Sequence, residues 1–114
     1  MAECGKNRKQ RLLGEKMISK FSTSRLEAMK EFCERAISAA ELGDRTNAIK
    51  ELARAKIERE IIYARDIFPL IREGKLSELS PEQRSLITEA NKLYTDSFKE
   101  ARRRYENYEK NILN

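Results

Sequence analysis

The chain has 114 residues, enough for one small domain, and 38% of them are charged while only 39% are hydrophobic. This balance, with four Gly and two Pro, favours helices with narrow apolar seams and argues against a sheet protein. No run approaches the ~18 apolar residues of a transmembrane helix, and residues 1–20 lack the apolar core of a secretory signal. We therefore expect an intracellular, cytoplasmic protein without a membrane span.

The net charge of +5 belongs mostly to the N-terminus. Residues 1–20 contain six basic and two acidic side chains, so the rest of the chain is almost neutral. We expect residues 1–9 to form a flexible basic tail, followed by a single domain over residues 10–114. The tail can contact the phosphates of a nucleic acid, or it can simply keep the protein soluble. The candidate phosphate contacts are Lys6, Arg8, Lys9 and Arg11.

The N-terminal half of the chain predicts a short helix before a longer one. Residues 10–21 carry apolar side chains four residues apart, and the Ser22–Ser24 stretch then offers hydroxyls that can interrupt the helix. The second helix is predicted over about residues 25–42. Gly43 is suited to the left-handed position after a helix, and Asp44 or Thr46 can cap the next helix. A turn this short predicts an antiparallel pair of helices.

The third helix is predicted from about residue 45 to 68, where Pro69 ends or kinks it. Apolar residues recur along it at steps of three and four, which predicts the most buried helix of the fold. This row consists of Ile49, Ala53, Ile57, Ile61, Ala64 and Phe68.

The C-terminal stretch predicts the longest uninterrupted helix. Ser80 and Gln83 have the spacing of a capping box, and Pro81 suits the first helical position. From there the apolar period continues to Ile112, which gives about 33 residues and roughly 50 Å of helix. The predicted fold is therefore all-α: an antiparallel bundle of three main helices with a short N-terminal helix or arm and a long C-terminal helix. We expect Ile57, Ile61 and Phe98 to be fully buried where the two longest helices cross.

The residue types needed for common chemistry are missing. The sequence has no histidine, its two cysteines are far apart, and its four glycines are isolated rather than grouped in a phosphate-binding loop. The carboxylates at helical spacing stand among basic residues, as on an ordinary solvated face. We therefore expect no enzyme activity, no cofactor, no metal and no small-molecule substrate.

Two stretches remain as candidates for binding a macromolecule. If helix three pairs with the C-terminal helix, the end of that helix projects beyond Gly43 and its apolar stripe lacks cover. We predict a non-catalytic adaptor or regulator that binds another protein or a second copy of itself there; a frayed helix end is the alternative interpretation. The alternative function is nucleic-acid binding by the basic tail and residues 102–104. The predicted partner-binding residues are Arg102, Arg103, Arg104, Tyr105, Tyr108 and Ile112.

Overall fold

A computed structural model describes the backbone of residues 2–113 and the side chains of residues 22–113. The chain forms helices α1 (Ala2–Glu41), α2 (Arg45–Asp66), α3 (Phe68–Arg72) and α4 (Pro81–Leu113), with a 3-10 turn at Leu76–Glu78 before α4. Residues 2–113 contain no β-strand, and the helices pack as a bundle. The predicted all-α bundle with a long C-terminal helix is therefore confirmed. None of the helices, over the described residues, combines the length and apolarity needed to cross a bilayer.

The predicted interruption at Ser22–Ser24 is wrong, because α1 continues through these residues as one helix. One of the three hydroxyls is engaged elsewhere. Ser22 is fully buried and its hydroxyl donates a hydrogen bond of 2.7 Å to Oδ2 of Asp66, the last residue of α2. A hydroxyl engaged with another helix is not available to cap its own, so Ser22 does not start a new helix.

The turn between α1 and α2 has the geometry that the sequence predicts. Gly43 adopts a φ of +79°, its N–H donates to the carbonyl of Ala40 at 3.0 Å, and the N–H of Asp44 donates to that of Ala39 at 2.8 Å. These two bonds form a Schellman motif, which satisfies carbonyls at the end of α1. Asp44 then accepts a hydrogen bond of 3.2 Å from the N–H of Asn47 and starts α2. The result is the predicted antiparallel pair.

The start of α4 is a complete capping box. The N–H of Gln83 donates to Oγ of Ser80 at 3.1 Å, and the N–H of Ser80 donates to Oε1 of Gln83 at 2.9 Å. Each side chain therefore satisfies a backbone donor that the helix itself leaves without an acceptor. The capping prediction at this end of α4 is confirmed.

Helix α1 lies at the centre of the bundle, because it packs extensively against both α2 and α4 while those two contact each other less. The ion pairs Lys30–Glu89 (3.7 Å) and Glu41–Arg104 (2.9 Å) show that α1 and α4 run in the same direction. Because α1 rather than α2 is the central helix, the expectation that the third predicted helix, α2, is the most buried is wrong.

Two clusters of side chains form the core. The buried hydrophobic residues are Leu26, Met29, Cys33, Ala36, Ala40, Ala48, Leu52, Ala55, Ile62, Ala90 and Ala101.

Candidate protein-binding surface

Helix α2 carries two apolar rows, and the row with the larger side chains faces outward. Four residues at steps of four, which we call the α2 ridge, consist of Ile49, Ala53, Ile57 and Ile61. Ile49 and Ile57 are 56% and 57% exposed, Ala53 is exposed and Ile61 is half-buried. Phe98 on α4 is 46% exposed. The prediction that Ile57, Ile61 and Phe98 are fully buried is therefore wrong.

The inner row of α2 has two alanines and two larger residues. Ala48 and Ala55 are buried beside Leu52 and Ile62, and they meet Ala36 and Ala40 or their neighbours on α1. This inner row packs against α1, so the α2 ridge on the other side of the helix is left outside the core.

An open groove lies between α2 and α4, and Ala40 of α1 is also part of its lining. It encloses a volume of about 380 Å³, and Ile49 and Phe98 line it together with the buried Leu52 and Ala101. The Phe98 ring lies 6.3 Å from that of Tyr94, centroid to centroid, at a tilt of 40°. The groove therefore connects the first residue of the α2 ridge, Ile49, to Phe98 on α4. The polar and aromatic residues along its margin are Arg45, Arg102, Tyr105, Glu106 and Glu109.

Charged side chains flank the α2 ridge on both sides of Ile57. Arg54 lies three residues before it and pairs with Glu51 at 2.9 Å, with 44% of its side chain exposed. Glu60 lies three residues after it and pairs with Arg59 at 3.3 Å, with 50% of its side chain exposed. At 100° per residue these two groups lie on opposite sides of the ridge. Arg54 and Glu60 thus place a cation and an anion on opposite sides of an apolar centre that faces solvent, and the exposed Lys50 and Lys56 stand nearby.

The predicted arginine cluster on α4 is engaged with carboxylates of the chain. Arg102 pairs with Glu106 at 3.1 Å, and Arg104 pairs with Glu41 at 2.9 Å. Both Arg103 and Arg104 donate to Glu100. These hydrogen bonds lower the pKa of Glu100 to about 2 and raise the pKa of both arginines. The cluster is therefore a largely compensated patch of charge, which attracts phosphate less than three isolated cations would.

The end of α4 is covered further than the sequence predicts. Tyr105 packs against the core cluster around Ala40, and its ring stacks beside that of Tyr108 at 6.4 Å. Tyr108 lies directly over Gly43, so closely that a Cβ on this glycine would overlap the ring. The expectation that Tyr105 and Tyr108 lack intramolecular cover is therefore wrong. Ile112 remains 61% exposed, in the last two turns of the helix.

The other residues singled out from the sequence fall into two groups. Lys6, Arg8, Lys9 and Arg11, and the predicted flexible tail over residues 1–9, lie outside the residues whose side chains the structure describes, so these stay predictions. Cys33 is buried as a free thiol, and burial raises its pKa although a hydrogen bond with Ser97 opposes the shift. Among residues 22–113 no three His, Cys, Asp or Glu side chains are grouped so that they could hold a metal ion.

Comparisons with family models, with curated protein sequences and with solved structures find no match to this chain. Its function is therefore inferred from the surface itself. Ile49 and Phe98 line the same groove between two packed helices, and Ile57 stands about two turns further along α2; all three face water. The sequence did not predict this surface, because the same residues were expected in the core, although the i+4 spacing of the ridge is visible in the sequence.

Proposed function

We propose that the chain is a non-catalytic protein-binding module, acting as an adaptor or regulator, and that it binds its partner on the α2 ridge and Phe98. The observation that carries this proposal is the exposure of Ile49, Ile57 and Phe98, which ranges from 46% to 57%. Grouped apolar side chains on a folded surface are typical of protein interfaces, because burying them releases ordered water. A helix of another chain can lie along a surface of this shape.

Part of the predicted binding site belongs to this surface. Arg102 and Tyr105 border the groove that Phe98 and Ile49 line. Arginine and tyrosine are both enriched at interfaces, since each combines apolar area with a hydrogen-bonding group. In this proposal they form the margin of the binding surface rather than its centre. Ile112 lies beyond the groove and contributes less.

The alternative of nucleic-acid binding has weaker support. The arginines of α4 that would contact a nucleic acid already bind Glu41, Glu100 and Glu106, so few positive charges remain uncompensated there. The other proposed phosphate contacts lie in the basic tail. If the tail does bind duplex DNA, affinity should fall with salt by a logarithmic slope of about 0.9 per phosphate contacted. Binding to the α2 ridge should change little over the same range of salt.

The proposal is tested by site-specific photo-crosslinking. A benzophenone amino acid is placed at Ile57, on the ridge, or at Lys99, which is exposed on α4. The proposal expects protein adducts from position 57, mapped by mass spectrometry to one partner segment, and no matching adduct from position 99. Circular dichroism must show that both variants keep the helical content of the parent. Equal labelling from the two positions, or none from either, would overturn the proposal.

A further inference from the structure

We propose that a second copy of this chain occupies the α2 ridge, so that two α2 helices cross at Ile57 about a two-fold axis. This inference rests on the proposed function, since it names the partner of the same surface. Two observations support it: the spacing of the ridge, and the positions of the two opposite charges beside it.

The spacing of the ridge determines how another helix can lie on it. Ile49, Ala53, Ile57 and Ile61 follow the i+4 direction, which is inclined to the helix axis. When two such rows run alongside each other, the helices cross at about 50°. Ala53 is the small member of the row and is exposed, so it gives the second helix room to approach Ile57. The ridge therefore fits a helix with an i+4 row of its own, and α2 is such a helix.

The charges beside the ridge are arranged for a two-fold axis. Arg54 and Glu60 stand three residues before and after Ile57, on opposite sides of the row. A two-fold axis that runs along the row through the contact at Ile57 brings Arg54 of each copy to Glu60 of the other. Two identical ion pairs then flank the isoleucines. About half of each side chain is exposed, and the five guanidinium donors let Arg54 keep its bond to Glu51.

A second copy explains this arrangement better than an unrelated helix does. An isologous contact must be self-complementary, with each charge facing its opposite after rotation. Arg54 and Glu60 meet that condition, while two residues of like charge at these positions would repel. One helix row is small beside the ≈1,200–2,000 Å² of a standard interface. The dimer is therefore weak, and its population rises with protein concentration.

The experiment is a charge exchange followed by sedimentation equilibrium over a wide range of concentration. In Arg54→Glu alone two like-charged pairs face each other, and the same is true of Glu60→Arg alone. Each single variant should dimerise about tenfold more weakly than the parent. An equimolar mixture of the two should form a heterodimer more readily than either variant forms a homodimer, because both of its cross-pairs then join opposite charges. The matched control, Lys99→Glu, reverses a charge elsewhere on the surface and should dimerise like the parent.

Each outcome decides the inference. Weaker dimerisation of each single variant, together with restored dimerisation in the mixture, supports the inference. Ile57→Ser should abolish the dimer while the circular dichroism spectrum stays unchanged. A parent chain that remains a monomer at the highest concentration overturns it, as does a mixture that shows no recovery. If the chain is monomeric while position 57 still crosslinks to a different protein, the second copy is wrong and the proposed function stands. If the chain neither dimerises nor crosslinks to another protein at position 57, both the second copy and the proposed function are wrong.

Discussion

The contact between Gly43 and Tyr108 allows a quantitative test of how α4 ends. Replacing Gly43 with alanine adds one methyl group at a residue whose φ is +79°, and that methyl would overlap the Tyr108 ring. Gly74 provides a matched control. Its φ is +69°, but a Cβ there would have no atom within 4 Å. The two substitutions therefore share the backbone strain and differ in the aromatic contact.

The expected destabilisation has two parts. A left-handed backbone costs a non-glycine residue about 1–2 kcal/mol. Displacing the half-buried Tyr108 ring loses part of an aromatic burial that is worth ~1.5–3 kcal/mol when complete, so we take about 1 kcal/mol. Gly43→Ala should then lower the free energy of unfolding by about 2–3 kcal/mol, and Gly74→Ala by about 1–2 kcal/mol. At about 3–6 °C per kcal/mol for a domain of this size, Gly43→Ala should lower Tm by roughly 6–18 °C.

The assay is urea unfolding measured by circular dichroism, on four variants besides the parent. These are Gly43→Ala, Gly74→Ala, Tyr108→Ala and the Gly43→Ala/Tyr108→Ala double variant. In the double variant the ring is already absent, so the added methyl group should cost only the backbone strain. The double-mutant cycle should therefore give a coupling free energy of about 1 kcal/mol.

Two results would refute this reasoning. Equal losses for Gly43→Ala and Gly74→Ala would show that the ring does not cover the turn between α1 and α2. Additive effects of Gly43→Ala and Tyr108→Ala would show the same independently. The end of α4 would then project without cover, as the sequence predicts.

Burial and charge support three further predictions. Ile62→Ala, at a position with no exposed area, should cost about 2–5 kcal/mol in urea unfolding, while Ile57→Ala should cost less than about 1 kcal/mol; equal losses would mean that α2 is rotated. Ser22→Ala leaves the buried Asp66 carboxylate without its hydroxyl donor and should cost about 1–3 kcal/mol, and an unchanged stability would contradict that pairing. Because folding lowers the pKa of Glu100 from 4.5 to about 2, its ionised form stabilises the folded chain above pH 4.5, and this contribution disappears as the pH falls toward 2. Glu100→Gln should flatten the pH dependence of stability in that window, and an NMR titration that places the pKa near 4.5 would refute the arginine pairing.

The sequence by itself determines where several helices begin and end. Glycine at a left-handed position, an Asp cap and a Ser-Pro-x-Gln box act through neighbouring backbone groups, so no other part of the fold is needed to interpret them. Gly43, Asp44 and the capping box of Ser80 and Gln83 all have the predicted roles. The all-α class is predicted by the same local signals and by the composition.

The tertiary structure alone decides which side of each helix is buried. Helix α2 has one row of isoleucines and one row richer in alanine, and hydrophobicity favours burying the larger side chains. The packing of α1 against α2 reverses that choice, since Ala48 and Ala55 are buried there beside Ile62 while Ile49 and Ile57 are exposed. Likewise, the hydroxyl of Ser22 binds a carboxylate 44 residues away rather than the end of its own helix. Both outcomes depend on distances between helices, which no local pattern in this sequence encodes.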